Sequence, residues 1–355
     1  MVSESEKLIK DIRAKAAAVK RQLRFMELCG THSQSIAANG LKSLMPENIK
    51  LVTGPGCPVC VTDQSDIDVV VGLALHGIPI AAYGDALNVP GNIMSLEQAR
   101  QNGADVQAFY DVQDALEMQE KKPKLVFFGL GFETTAPMTA WAIKRGLTVY
   151  SAHKFFPPAM AALLKNKKIK VDGFLDPGHV SAIIGTEIYK QFKIPQVIAG
   201  FEGLDVLRAI NMLLDQVLSG ETKVENEYAR VVKKGGNTAA RKLMREVFET
   251  SDAKWRGLGT IKKSGLKIRK KYQKQDAEFV YRVLIKKIKS QIRSKPSACR
   301  CGEVLQGLIE SRDCPLFGKI CTPDRPRGAC MVSVEGGCNI EYRYNYEKNR
   351  KKQRH

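Results

Sequence analysis

Six of the chain's nine cysteines lie between positions 299 and 338: Cys299-Arg300-Cys301, Cys314, Cys321, Cys330 and Cys338. An iron–sulfur cluster needs four thiolates and accepts them from several loops at irregular spacing. Structural zinc sites favour paired C-x2-4-C knuckles, and this stretch has no C-x2-C. The spacing therefore favours an iron–sulfur cluster over zinc or metal-free thiols. Cys314, Cys321 and Cys338 are the best-placed ligands, and one of Cys299 and Cys301 is expected as the fourth. Spacing alone does not choose between those two, and it leaves Cys330 without a role.

The remaining three cysteines form two further groups. Cys57-Pro58-Val59-Cys60 follows an apolar run and precedes a helical pattern. A C-x-x-C at a helix start is a setting for a reactive dithiol, because the helix N-terminus stabilises the thiolate. It reads as a redox dithiol or half of a metal site, on an open turn made by Gly54-Pro55-Gly56. Cys29-Gly30-Thr31-His32 ends the preceding apolar run. Alone, a cysteine at a strand end is more often a packed small residue. Its weight comes from position: if the two runs are neighbouring parallel strands, both loops reach one sheet edge. Three thiols and an imidazole would then meet.

These loops need a scaffold that presents strand ends. From residue 25 to 220 short apolar runs alternate with amphipathic ones. Strands are expected at 24–28, 50–53, 79–83, 106–110, 125–130, 148–152, 173–175 and 196–199. Helices are expected at 66–75, 96–102, 112–120, 138–145, 180–192 and 204–218, with Ser95 as an N-cap and Gly103 and Gly146 as stops. This rhythm predicts an α/β fold: two similar small parallel-sheet βα domains, at 21–120 and 121–220. A third, irregular α-rich domain at 221–355 would carry the cluster, with the N-terminal helix 1–20 packed on it. Glu133 and Glu202 each follow Gly-Phe at a strand end, so they either face the thiol loops or cap helices. No G-x-G-x-x-G or Walker pattern is present, so no nucleotide site is expected.

Composition sets the surroundings. Apolar residues make up 44% of the 355 positions, enough for a core. The N-terminal residues lack an apolar signal region, and the apolar stretch 69–83 is interrupted by His76-Gly77 and Pro79. The chain thus reads as cytoplasmic, with no membrane partner. Clustered cysteines in a reducing compartment point to metal or redox work. The net charge of +19 includes basic runs at 165–170, 262–274 and 349–355. No RRM, KH or helix-turn-helix signature accompanies it, so a nucleic-acid partner is not expected. A cluster-dependent RNA-modifying enzyme and a zinc-stabilised interaction module stand as the alternatives.

The motifs also carry a family resemblance. MELCGTHS (26–33), GPGCPVCVT (54–62), YGDALNVPG (83–91), VFFGLGFETTAP (126–137), PGHVSAIIG (177–185), GFEGLDVL (200–207) and WRGLGTIKKSGL (255–266) occur in the order found in the HypD family of hydrogenase-maturation proteins. So do DAEF (276–279) and the cysteine-rich run from 299 to 338. The resemblance implies two α/β domains and a third with a [4Fe–4S] cluster. It implies a scaffold and redox protein, rather than a conventional turnover enzyme, for assembling the Fe(CN)2CO unit of [NiFe]-hydrogenases. Iron, as transient Fe(II) carrying CN and CO, would bind Cys29 together with a cysteine of a HypC-like chaperone, beside His32. A HypE-like partner would donate cyanide. Cys57 and Cys60 would be the redox-active dithiol, and the C-terminal cysteines would hold the cluster. The chain departs from the family pattern in its ending GGCNIEYRY and its Lys/Arg tail.

Overall fold

A computed structural model describes residues 3–293 and 297–346. The basic run at 349–355 lies outside the described residues. The chain runs α1 (Glu4–Ala17), β1 (Leu23–Glu27), α2 (Gly30–Ala38), α3 (Leu41–Leu44), β2 (Ile49–Thr53), α4 (Pro58–Val61) and α5 (Gln64–Leu75). Then come β3 (Ile80–Tyr83), α6 (Leu96–Gln101), β4 (Val106–Phe109), α7 (Val112–Lys121), β5 (Val126–Gly129), α8 (Ala136–Lys144), β6 (Val149–Ser151) and α9 (Pro157–Lys165). It returns through β7 (Gly173–Pro177), α10 (Gly178–Ile184), β8 (Gln196–Ala199), α11 (Gly203–Ser219) and β9 (Val224–Asn226). The last part holds α12 (Thr238–Val247), β10 (Phe248–Trp255), β11 (Gly259–Ile268), α13 (Ala277–Val280), α14 (Arg282–Gln291), α15 (Cys301–Val304), α16 (Ala329–Val332) and α17 (Gly337–Glu341).

The α/β class is as expected: two parallel sheets, in the orders β2-β1-β7-β8-β9 and β4-β3-β5-β6. The division between them is not sequential. β1 and β2 share a sheet with β7, β8 and β9, while β3 to β6 form the other. A boundary at 120/121 would therefore cut the second sheet between β4 and β5. The chain leaves the first sheet through α5 and comes back to it at β7. The reason is legible in α5 itself. Its residues Ile67 to Ala74 are all buried, Val69, Val70, Val71 and Leu73 completely. A helix with so long an apolar run must be enclosed on several sides, and α5 lies against β3, α6 and α14.

One core cluster takes Phe174 and Ile198 from the first sheet, Ile80, Val126 and Phe128 from the second, and Trp255 from the hairpin. The outer face of the first sheet packs on α11, whose Val206, Ile210, Leu213 and Leu214 recur at helical spacing and are buried. Helix α1 packs on α11 as well, not on the cysteine-rich part. Leu8, Ile12 and Ala16 form its apolar stripe, and Ile12 and Ala16 are fully buried there. Ion pairs Lys15–Asp215 (2.6 Å) and Arg208–Glu4 (2.6 Å) fix the register.

The segment 221–293 is likewise shared out rather than gathered into one α-rich domain. β9 extends the first sheet, α12 packs on α8, and β10–β11 form an antiparallel hairpin with a bulge near Asp252. No helix of the described residues is long and apolar enough to cross a membrane.

Candidate functional site

β1 and β2 are parallel neighbours, with Glu27 opposite Thr53, so the loops after them leave the same sheet edge. They touch directly. The Gly54 N–H donates to Glu27 O (2.9 Å), and the Gly30 N–H donates to Gly56 O (3.3 Å). A Cβ on Gly56 would sit 2.4 Å from the Cys29 nitrogen, so only glycine admits this approach. A third segment closes on them: a Cβ on Gly30 would meet Glu335 Cβ at 2.4 Å. The Thr31 hydroxyl donates to Glu335 Oε1 (3.3 Å), and Gln34 Nε2 donates to Val334 O (2.9 Å). Sequence reasoning missed Glu335, because V-E-G-G carries no recognisable chemical spacing.

Cys29 is the N-cap residue of α2 and is buried. Burial, reinforced by the Glu335 charge, pushes its thiol up to about 12. This is the opposite of a helix-activated thiolate: without a metal the sulfur keeps its proton. Its N–H donates to Glu27 Oε2 (3.1 Å). Glu27, itself buried, is pushed up to about 8 by desolvation and is contacted by the Ser33 hydroxyl. His32 is wholly buried, and desolvation takes it down to about 4, so its imidazole is neutral. Nε2 lies 3.2 and 3.0 Å from the carbonyl oxygens of Ala199 and Gly200. Two acceptors assign the proton to Nε2, which leaves Nδ1 with a lone pair. Nδ1 is buried and has no hydrogen-bond partner. The ring stacks on Phe201 (4.9 Å), which stacks on His179 in turn (3.8 Å).

Cys57 caps α4 and is joined to Cys60 by a disulfide. The turn is not open: the two residues are 3% and 0% exposed, because the loops of Cys29 and Ala329 cover them. Cys60 Sγ lies 4.0 Å from Ala329 O, one residue before Cys330. The two groups of cysteines therefore adjoin across α4 and α16.

All six C-terminal cysteines line one small hollow of about 10 Å³, with Phe317, Gly328 and Met331. Cys301 and Cys330 meet there, sulfur to sulfur, at 2.7 Å. The Arg327 N–H donates to Cys321 Sγ (3.3 Å). Burial raises the thiols of Cys321 and Cys338. Among the described residues no group of three or more His, Cys, Asp and Glu is gathered tightly enough to hold a single metal ion.

The two glutamates part company. Glu202 occupies the N-cap of α11, which is its capping role. Glu133 is fully buried, accepts from the Phe156 N–H (3.1 Å) and keeps Oε2 unpartnered. His153 is buried against Thr139 Oγ1 (3.2 Å), and His76 caps the end of α5.

Comparison with known proteins adds the family. The HypD family, described as "Hydrogenase formation hypA family", matches residues 3–345. The hydrogenase maturation factor HypD of Escherichia coli is 41% identical, over 96% of this chain and 95% of that protein. A putative hydrogenase expression/formation protein of Methanocaldococcus jannaschii is 44% identical, over 91% and 92%. HypD2 of Bradyrhizobium diazoefficiens is 41% identical, over 95% and 93%. With residues 3–345 matched and relatives about 40% identical over more than nine-tenths of it, the chain belongs to the HypD family of hydrogenase maturation factors.

Proposed function

We propose that this protein is a scaffold and redox factor on which the Fe(CN)2CO unit of a [NiFe]-hydrogenase is assembled, with iron as its cargo at Cys29. The observation that carries this reading is the convergence at Cys29: a buried thiol on a turn where three loops pack against one another. Soft iron carrying cyanide and carbonyl suits a thiolate ligand. Binding exchanges the Cys29 proton for the metal, so one proton leaves to water. The Nε2–H bonds to Ala199 and Gly200 hold the imidazole in the tautomer whose Nδ1 can ligate. A HypC-like chaperone supplies the second cysteine, and a HypE-like protein supplies cyanide.

Six thiols brought to one hollow from irregularly spaced loops suit a [4Fe–4S] cluster better than one zinc ion, for which paired knuckles are usual. Cys301 touches both Cys330 and Cys299; setting aside Cys301 and Cys330, the two most buried of the six, leaves Cys299, Cys314, Cys321 and Cys338 as the proposed ligands. A bound cluster supplies single-electron chemistry. Cys57 and Cys60 are the nearby dithiol, already paired and facing the strand of chain that bears Cys330. Anaerobic purification followed by iron, sulfide and zinc analysis tests this part. Iron and sulfide in equal amounts with absorption near 400 nm are expected; a colourless zinc protein contradicts it.

A further inference from the structure

The basic turn after α9 has no part in the chemistry above, yet it is fastened to the rim of the sulfur hollow. Residues 165–170 carry four lysines, Lys165, Lys167, Lys168 and Lys170, all exposed. Asn166 shapes the turn, its Oδ1 accepting from the Lys168 N–H (3.1 Å). Its Nδ2 donates to Gln306 Oε1 (3.0 Å), and Gln306 Nε2 donates to Gly302 O (3.0 Å), next to Cys301. Arg24 is a second fastening: Nε donates to Lys170 O (2.9 Å) and Nη2 to Gly307 O (2.6 Å). The lysine-bearing turn is thus held against residues 302–307, directly after Cys301.

Of the hollow's cysteines only Cys299 is half-buried; the others are buried, so Cys299 marks the mouth. Arg300 follows it, and its Nε donates to Glu303 Oε1 (2.7 Å). Arg300 first, and Lys168 with it, hold the Glu303 carboxyl below its usual range, which places Lys168 on the same rim. The acids here are answered locally: Glu303 by Arg300, Asp172 by Arg21 (2.5 Å), and Glu310 and Asp313 by each other's backbone N–H. Asp324 adjoins Arg325 and Arg327 in the chain. The four lysines make no ion pair among the described residues. Leu164, immediately before them, is 41% exposed. A row of mobile cations beside an exposed apolar residue suits a brief encounter with an acidic protein, steered by charge over a small contact. The segment 164–170 holds no aromatic residue to stack a base and no arginine fork to read one.

We propose that this lysine rim is the docking surface for an acidic one-electron carrier protein, which reduces the C-terminal sulfur centre from its Cys299 side. The inference rests on the cluster reading of the hollow. In the step one electron passes from the reduced carrier to the centre. The carrier is oxidised by one electron, the centre is reduced by one, and no bond or proton is exchanged.

The test uses the full-length protein, purified anaerobically, with an acidic [2Fe–2S] ferredoxin as the probe. The dissociation constant of the oxidised ferredoxin is measured at about 50 and about 500 mM salt, with iron and sulfide determined in parallel. Binding that weakens with salt is expected. Lys165→Glu combined with Lys167→Glu should weaken it by about tenfold or more at the lower salt and keep parental iron and sulfide. Lys286→Glu combined with Lys287→Glu changes the charge equally on α14, and should leave binding within about twofold. No ferredoxin binding by the parent, parental binding in the first variant, or equal loss in both variants overturns this inference alone. So does a uridine oligonucleotide that binds the parent more tightly than ferredoxin and is lost in the first variant, which would make the rim a nucleic-acid surface. A parent protein without iron and sulfide overturns it together with the cluster reading.

Discussion

Gly30 and Glu335 lie 305 positions apart in the chain, yet no side chain fits between them: a methyl group on Gly30 would stand 2.4 Å from Glu335 Cβ and 2.8 Å from Glu335 O. This contact docks the cysteine-rich segment onto the first turn of α2, beside Cys29. Gly30→Ala is therefore expected to destabilise the protein by about 1–3 kcal/mol, the usual range for overpacking. It should also loosen the Cys29 loop. Chemical denaturation and the alkylation rate of Cys29 measure the two effects. A variant as stable as the parent, with Cys29 equally protected, contradicts the contact.

Glu27 predicts a dependence of stability on pH. Its carboxyl is pushed up to about 8, from about 4.5 when unfolded, so the folded state binds the proton more tightly. Stability from this group is full below about pH 4.5 and is lost progressively as pH rises towards 8. Glu27→Gln keeps the hydrogen bonds and removes the titration. It should gain on the parent by about 1.4 kcal/mol per pH unit at most across that window. His32, taken down to about 4, works in the opposite sense: it destabilises the fold as pH falls from 6.5 to 4. Urea midpoints of parent and variant at pH 5 and pH 8 separate the two; a constant difference counts against Glu27.

Iron affinity should rise with pH. With the Cys29 thiol at about 12, each iron bound releases one proton throughout the neutral range. The dissociation constant is expected to fall about tenfold per pH unit contributed by this thiol. Anaerobic titration at pH 6.5 and 7.5 checks the slope. A pH-independent constant means that Cys29 is not the ligand.

His32 separates folding from binding. His32→Gln retains a side-chain donor for Ala199 and Gly200 but loses the Nδ1 lone pair. Near-parental stability with iron binding weakened at least tenfold is expected, on the order of 1.4 kcal/mol. Unchanged iron binding would assign His32 a packing role alone.

Within the hollow, the six cysteines should fall into two sets. Serine at Cys299, Cys314, Cys321 or Cys338 is expected to lower the iron and sulfide content sharply. Serine at Cys301 or Cys330, the two most buried of the six, should leave it near the parental level. Loss from Cys301→Ser equal to that from Cys299→Ser would refute this partition.

Much of the scaffold was legible from local signals. The eight apolar runs from 24 to 199 are β1 to β8, with ends within two residues of those observed, and Ser95 does cap α6. The meeting of the Cys29 and Cys57 loops followed from the parallel-strand argument alone. Sheet membership did not follow, because β-strand pattern says nothing about partners. The clue lay in α5, whose continuous apolar run marks an enclosed connector. The β10–β11 hairpin was missed because lysines and a serine break the alternation, as in Thr260 to Lys267. The burial of the C-x-x-C was hidden too. A Gly-Pro-Gly turn reads as exposed until the chain that covers it, here residues 29 and 329, is known. Glu335 was out of reach because its significance lies in contacts far along the sequence.

The most direct measurement is the infrared spectrum of the protein in complex with its HypC-like chaperone, parent against Cys29→Ala. The account predicts Fe–CN and Fe–CO bands in the parent complex and none in Cys29→Ala, with the variant still folded and its C-terminal iron and sulfide retained. Bands of undiminished intensity in Cys29→Ala would place the iron elsewhere and contradict the central claim.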